Sequence, residues 1–207
     1  MFDLTLSEWI LRAIAVIIAL TIHEFSHGLV SHLQGDKTPE SHGRLTLNPL
    51  SHIDPLGLIA LFVFRFGWAK PIPINSSNYK KQRIGIILTS IAGPLSNLLL
   101  SFSAIIAYIL TNPQNEAIIF FYQEAIFINA SLALFNMIPV PPLDGSKIFA
   151  SIFGGKVAEL IYKIEGKGTI VIFLLLNLPI VNQSLSKGIL FLVQKLFAFG
   201  LLITFKG

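Results

Sequence analysis

Apolar residues in this chain come in long blocks, and the interruptions between blocks set its organisation. The first block follows Thr5-Leu6-Ser7-Glu8, a capping box with Thr5 as N-cap and Glu8 at the third helical position. The pattern stays helical to about Leu33 and stops at Gly35, a common C-terminal signal. At 1.5 Å per residue such a helix is about 40 Å long, enough to cross a bilayer. Residues 84–110 hold no formal charge and form the clearest spanning segment. Gly93-Pro94 predicts a kink inside it, and Asn97 one turn later is a polar group at mid-membrane depth. A third span covers about residues 117–138, with Glu124 in its outer third. Residues 169–181 and 188–205 are predicted as two further spans, the second interrupted by Lys195.

Between the first two spans the period changes. Phe62, Phe64 and Phe66 alternate, Gly67-Trp68 offers a turn, and Pro71 and Pro73 alternate with Ile72 and Ile74. Alternation with proline predicts a short hairpin or edge strand. Being apolar, it is expected to dip into the membrane, shielded by helices because bare backbone cannot face lipid. After the third span, Pro139, Pro141 and Pro142 force an extended path, and Asp144 stands where the next helix starts. The expected fold is therefore an all-α polytopic membrane protein. It has about five transmembrane helices, a membrane-dipping β-hairpin between the first and second, and one domain over residues 1–207.

Composition supports the membrane reading. Of 207 residues, 53% are hydrophobic and only 13% charged, with mean hydropathy +0.72. Soluble domains carry about 25% charged residues. The net charge of +4 is explained by orientation in a lipid bilayer and gives no reason to expect a nucleic acid partner. Lys37, Arg44, Arg65, Lys70, Lys80, Lys81 and Arg83 outnumber Asp36, Glu40 and Asp54 in the first loop. By the positive-inside rule that loop is cytoplasmic, and the N-terminus lies outside. The turn at 111–116 has no Lys or Arg, whereas Lys147, Lys156, Lys163 and Lys167 return the chain to the inner side. The cell membrane is the expected location. The first apolar block lacks a basic leader and a small-residue cleavage site, so it reads as a span and not as a removable signal. There is no cysteine, so a zinc ion could be held only by His, Asp or Glu.

Candidate chemistry lies at His23-Glu24-Phe25-Ser26-His27, inside the first span. Residues four apart share a helix face, so two imidazoles can meet one metal ion while Glu24 handles a proton. Two histidines leave a tetrahedral zinc one protein ligand short if its fourth position is to hold water. Of the available acids, Asp144 returns to the depth of His23 and His27, Glu124 falls toward the opposite face, and Asp54 competes because its loop can fold back. A plain helix-capping role for Asp144 stands beside the ligand reading. Water acidified by the zinc would attack a peptide carbonyl, with Glu24 taking its proton and passing it to the leaving nitrogen. Asn97 has two readings of equal weight, a transition-state donor or an interhelical hydrogen bond. His32 reads as interfacial, and His42 and His52 receive no chemistry.

The chain resembles the site-2 protease family of intramembrane zinc metalloproteases. The likeness is carried by His23-Glu24-x-x-His27 and by Gly43-Arg44-Leu45-Thr46-Leu47-Asn48-Pro49 followed by His52-Ile53-Asp54-Pro55. It continues in Gly93-Pro94-x-x-Asn97 and Asn136-x-x-Pro139-x-Pro141-x-x-Asp144-Gly145, in family order. The resemblance implies one zinc ion on His23, His27 and Asp144, with Glu24 as catalytic acid/base. It implies that residues 58–75 form a membrane-dipping sheet that aligns an unwound substrate helix, and that Asn97 assists catalysis or substrate placement. The implied substrate is a transmembrane protein. No PDZ or CBS domain is recognisable, and the likeness fades after about Gly155, so the catalytic core is expected at about 5–155. A non-enzymatic zinc-binding membrane protein, a transporter or an inactive relative, is the alternative; it would need no Glu24. A di-iron oxygenase needs many more histidines than five and is set aside.

Overall fold

The computed structural model describes residues 4–55, 57 and 69–205. The described chain is mostly helical. Helix α1 covers Leu6–Leu33 and starts as its sequence predicts: the Thr5 N–H donates to Glu8 Oε2 at 2.8 Å, and the Glu8 N–H to Thr5 Oγ1 at 3.3 Å. It ends where Gly35 takes a φ of 109°, a value that favours glycine. A short helix α2, Thr38–Ser41, follows. Helix α3, Gln82–Thr111, carries Pro94 in its interior, and α4, Glu116–Asn136, is capped by Asn115 Oδ1 accepting from the N–H groups of Ala117 and Ile118.

Helices α1, α3 and α4 pack against one another with small and polar residues inward. Ala15, Ala19, Ser31, Ser90, Ser101, Ala130 and Ala133 are buried, while Leu6, Ile10, Ile14 and Ile18 form an exposed stripe one turn apart. Small residues between helices and large apolar ones outside are the pattern of a bundle solvated by lipid. Beyond α4 the chain forms α5 (Asp144–Phe153), α6 (Gly155–Glu165), α7 (Gly168–Asn177) and α8 (Pro179–Phe205). Helix α8 returns to the bundle, where Val193 joins Ile105, Ile126 and Ala130 in the main apolar cluster.

Two expectations are corrected. Among the described residues four helices, not five, are long and apolar enough to cross a membrane: α1, α3, α4 and α8. The stretch predicted as a span at 169–181 breaks at Leu178, which is extended, and Pro179 starts the next helix. That leaves α7 with 10 residues, about 15 Å, half of what a bilayer core requires. No strand occurs among the described residues; the only trace of pairing is an isolated antiparallel bridge between Ile53 and Ala69. The first arm and turn of the predicted hairpin, residues 62–68, lie outside the described residues. The second arm, 70–75, follows an irregular path held open by Pro71 and Pro73.

Candidate metal centre

The second half of α1 carries His23 and His27 toward α3, and both are buried. Their approach depends on Gly93. A Cβ at that position would collide with His27 Nε2 and with the His23 ring, so only glycine lets the α3 backbone lie under both imidazoles. Pro94 cannot donate to the Ser90 carbonyl, and the interrupted ladder gives α3 room to adapt at this contact. One turn on, Asn97 is fully buried.

The third group arrives from 117 residues away. Helix α4 ends at Asn136, the proline-rich turn follows, and α5 begins at Asp144. Gly145 makes this possible, because a Cβ there would strike the Met137 carbonyl at the end of α4. The N-cap of α5 is Leu143, so the Asp144 carboxylate is not occupied with capping. Its Oδ2 lies 3.2 Å from His23 Nε2 and 3.1 Å from His27 Nε2, and the two Nε2 atoms are 3.0 Å apart.

These distances fit a metal. A tetrahedral zinc with ligands at about 2.0–2.1 Å has donor–donor edges of about 3.3 Å. The far side of each ring is also committed. His23 Nδ1 donates to Asn97 Oδ1 at 2.5 Å, and His27 Nδ1 donates to the Thr89 carbonyl at 2.7 Å. Donation from Nδ1 leaves the Nε2 lone pair of each ring for coordination. His23, His27 and Asp144 are the one group of potential metal donors found among the described residues.

Glu24 projects beside this triangle into a cavity of 670 Å³, which His23, His27, Asp144, Ile72 and Leu143 also line. Its Oε2 accepts the Ile72 main-chain N–H at 2.9 Å. Asn97 makes the interhelical bonds: its amide group donates to the Ala19 carbonyl at 3.1 Å and to Asn129 Oδ1 at 2.8 Å. Both amide hydrogens are therefore used within the bundle, and its contact with the site runs through His23. The competing acids are elsewhere. Glu124 forms a two-point ion pair with Arg12 at 2.7 and 2.8 Å, and Asp54 Oδ1 accepts from the Gly57 N–H. His52 donates from Nε2 to the Thr46 carbonyl at 2.8 Å, away from the triangle.

Sequence reasoning missed Asn129, the Thr89 carbonyl and the Ile72 amide. Asn129 had a signal of its own, an uncharged amide in mid-span like Asn97.

Comparison with known proteins follows the same lines. The model of Peptidase family M50 matches residues 111–178. YwhC of Bacillus subtilis, named as a candidate zinc metalloprotease, is 38% identical over 175 residues, covering 81% of this chain and 80% of its own length. Rip2 of Mycolicibacterium smegmatis, named in the same way, is 26% identical over 192 residues, 88% of this chain and 70% of its own. A similarly named protein of Methanocaldococcus jannaschii is 40% identical over 62 residues, 28% of this chain and 30% of its own. No solved structure gives a significant match.

Proposed function

This chain belongs to peptidase family M50, and on that premise we propose that it is a membrane-embedded zinc endopeptidase. Its substrate is a peptide bond within or near a transmembrane segment of another protein. The observation that carries this reading is the convergence of His23, His27 and Asp144 from two distant parts of the chain beside Glu24. His23 and His27, each oriented through Nδ1, and Asp144 would hold one zinc ion. When bound there, the metal supplies Lewis acidity and lowers the pKa of water toward about 7.

The chain's own residues do the rest. Glu24 lies in the cavity beside the donors, with Oε1 available to take a proton from the attacking water and return it to the leaving nitrogen. Asn97 acts through His23, holding the ring in one tautomer and tying α1 to α3 and α4. The carbonyl of an intact helix is hydrogen-bonded and covered, so the substrate must be locally unwound to enter. Helix-breaking residues introduced into a substrate segment should therefore speed its cleavage, and an unchanged rate would count against this step. The protein is integral to the membrane, and we place it in the cell membrane with the site toward the cytoplasmic side and the N-terminus outside.

The test uses purified protein in detergent and a synthetic single-span peptide. Glu24→Gln should lose cleavage by at least about a hundredfold while keeping its metal. Asp144→Ala should lose the metal itself, read by elemental analysis. Full cleavage in Glu24→Gln would remove Glu24 as the proton carrier, no cleavage by the wild type would favour a zinc-binding protein without catalytic function, and full metal retention in Asp144→Ala would remove that residue from the ligand set.

A further inference from the structure

We propose that the main-chain amide of Ile72 is a positioning group for Glu24, holding one carboxylate oxygen so that the other stays free for proton transfer. The inference deepens the protease reading and rests on Glu24 as the proton carrier. It starts from the sequence Pro71-Ile72-Pro73. Neither proline has an N–H, so this tripeptide offers one main-chain donor. That donor goes to Glu24 Oε2.

Three separate clamps fix where the amide lies. Before it, Arg44 Nη2 donates to the Lys70 carbonyl at 2.7 Å, and the Lys70 N–H donates to the His52 carbonyl at 2.9 Å. After it, the fully buried Asp36 accepts the Asn75 N–H at 2.8 Å and Asn78 Nδ2 at 3.0 Å. At the centre, the buried Ile72 side chain packs its δ-methyl against Gly28, one residue past His27. The two prolines keep the intervening backbone out of the helical region, so it cannot relax toward α1. A glutamate has three side-chain torsions to fix, and a charge-assisted bond from a clamped amide selects among them before substrate arrives. The prolines also ensure that no neighbouring amide competes for the same oxygen.

The motif allows a clean comparison. Ile72→Pro removes the N–H from a backbone already flanked by prolines, whereas Ile72→Ala removes the side chain and keeps the N–H. With a synthetic single-span peptide in detergent micelles, kcat for Ile72→Pro should fall about tenfold or more below that of Ile72→Ala, with KM and zinc content alike. Equal kcat values overturn the proposal, and so does a faster Ile72→Pro, which would mean that the segment obstructs the site. Hydrogen exchange tests the contact without turnover. Ile72 carries the only exchangeable amide of residues 71–73, and its protection should be lost in Glu24→Ala; unchanged protection removes the contact. Failure of the protease reading itself would be seen separately, as no cleavage of the peptide by the wild type.

Discussion

A glycine shows best how the site depends on single residues. Gly93 contributes no functional group, yet its bare Cα is what allows α3 to lie against the two imidazoles of α1. Gly93→Ala should push the His23 and His27 rings apart and lower zinc content sharply, while the circular dichroism of a helical membrane protein persists. Asn97→Ala acts differently, since it frees the His23 ring to turn. Loss of such an outer contact typically weakens metal binding by about 10–100-fold. Competition with a chelator of known affinity reads both variants, and unchanged zinc affinity in either would mean that the ring is held by other contacts. The asymmetry in what could be foreseen is physical. Asn97 stood out because a polar amide in an apolar span needs a partner. The Thr89 carbonyl and the Ile72 amide could not, because main-chain groups are the same at every position and only the fold gives them neighbours.

Among the elements, the loop between α1 and α3 is organised around one carboxylate. Asp36 follows the end of α1 and accepts from Ser31 Oγ, the Thr38 N–H and Oγ1, the Asn75 N–H and Asn78 Nδ2. Ser31 in turn meets Tyr79, to which Thr89 Oγ1 donates, so the network reaches the residue whose carbonyl orients His27. Burial would raise the Asp36 carboxyl, but the bonds from Thr38, Asn75 and Asn78 outweigh it and hold the group well below the usual carboxylate range. A folded-state value below the unfolded one means that this stabilisation is complete above the unfolded pKa, about 3.9, and is lost as pH falls below it. Hydrogen exchange at residues 75–79, measured as protection relative to the intrinsic rate, should therefore lose protection below about pH 4 in wild type. In Asp36→Asn it should be fast at neutral pH, with a stability loss of about 2 kcal/mol. Slow exchange in that variant would mean that other contacts hold the loop. Sequence reading found the proline alternation here but not the carboxylate, because Asp36 looked like one acid among several in a charged loop. It also read 169–181 as a span from hydropathy alone, where the break at Leu178-Pro179 leaves α7 too short.

For the whole molecule, the number of crossings decides which face each segment occupies. Antiparallel packing of the first three spans is fixed by side chains as well as by order: Arg12 and Glu124 pair across α1 and α4 at one end, and His23, His27 and Asp144 meet toward the other. Helix α8 then runs back toward the first end, with Gly188 against Leu134 and Gly200 against Ile105 and Ile109. Four crossings place Phe205 on the same side as the start of α1, whereas five would have placed it opposite. In the orientation we propose that side is the outer one, because by the positive-inside rule the lysines of α5 and α6, at the other end, face the cytoplasm and the Asn112–Asn115 turn has none. The chain has no cysteine, so single cysteines can be introduced without background. In intact cells a membrane-impermeant maleimide should label Gln114→Cys and Phe205→Cys, and should label Lys156→Cys only after permeabilisation. The three positions test different links. Labelling of Lys156→Cys from outside would invert the orientation, and the metal site with it. Protection of Phe205→Cys beside a labelled Gln114→Cys would restore a fifth crossing and require α7 to be longer than its 10 residues. Labelling of Gln114→Cys and Phe205→Cys alone keeps the metal donors toward the cytoplasmic side, as the proposed orientation requires.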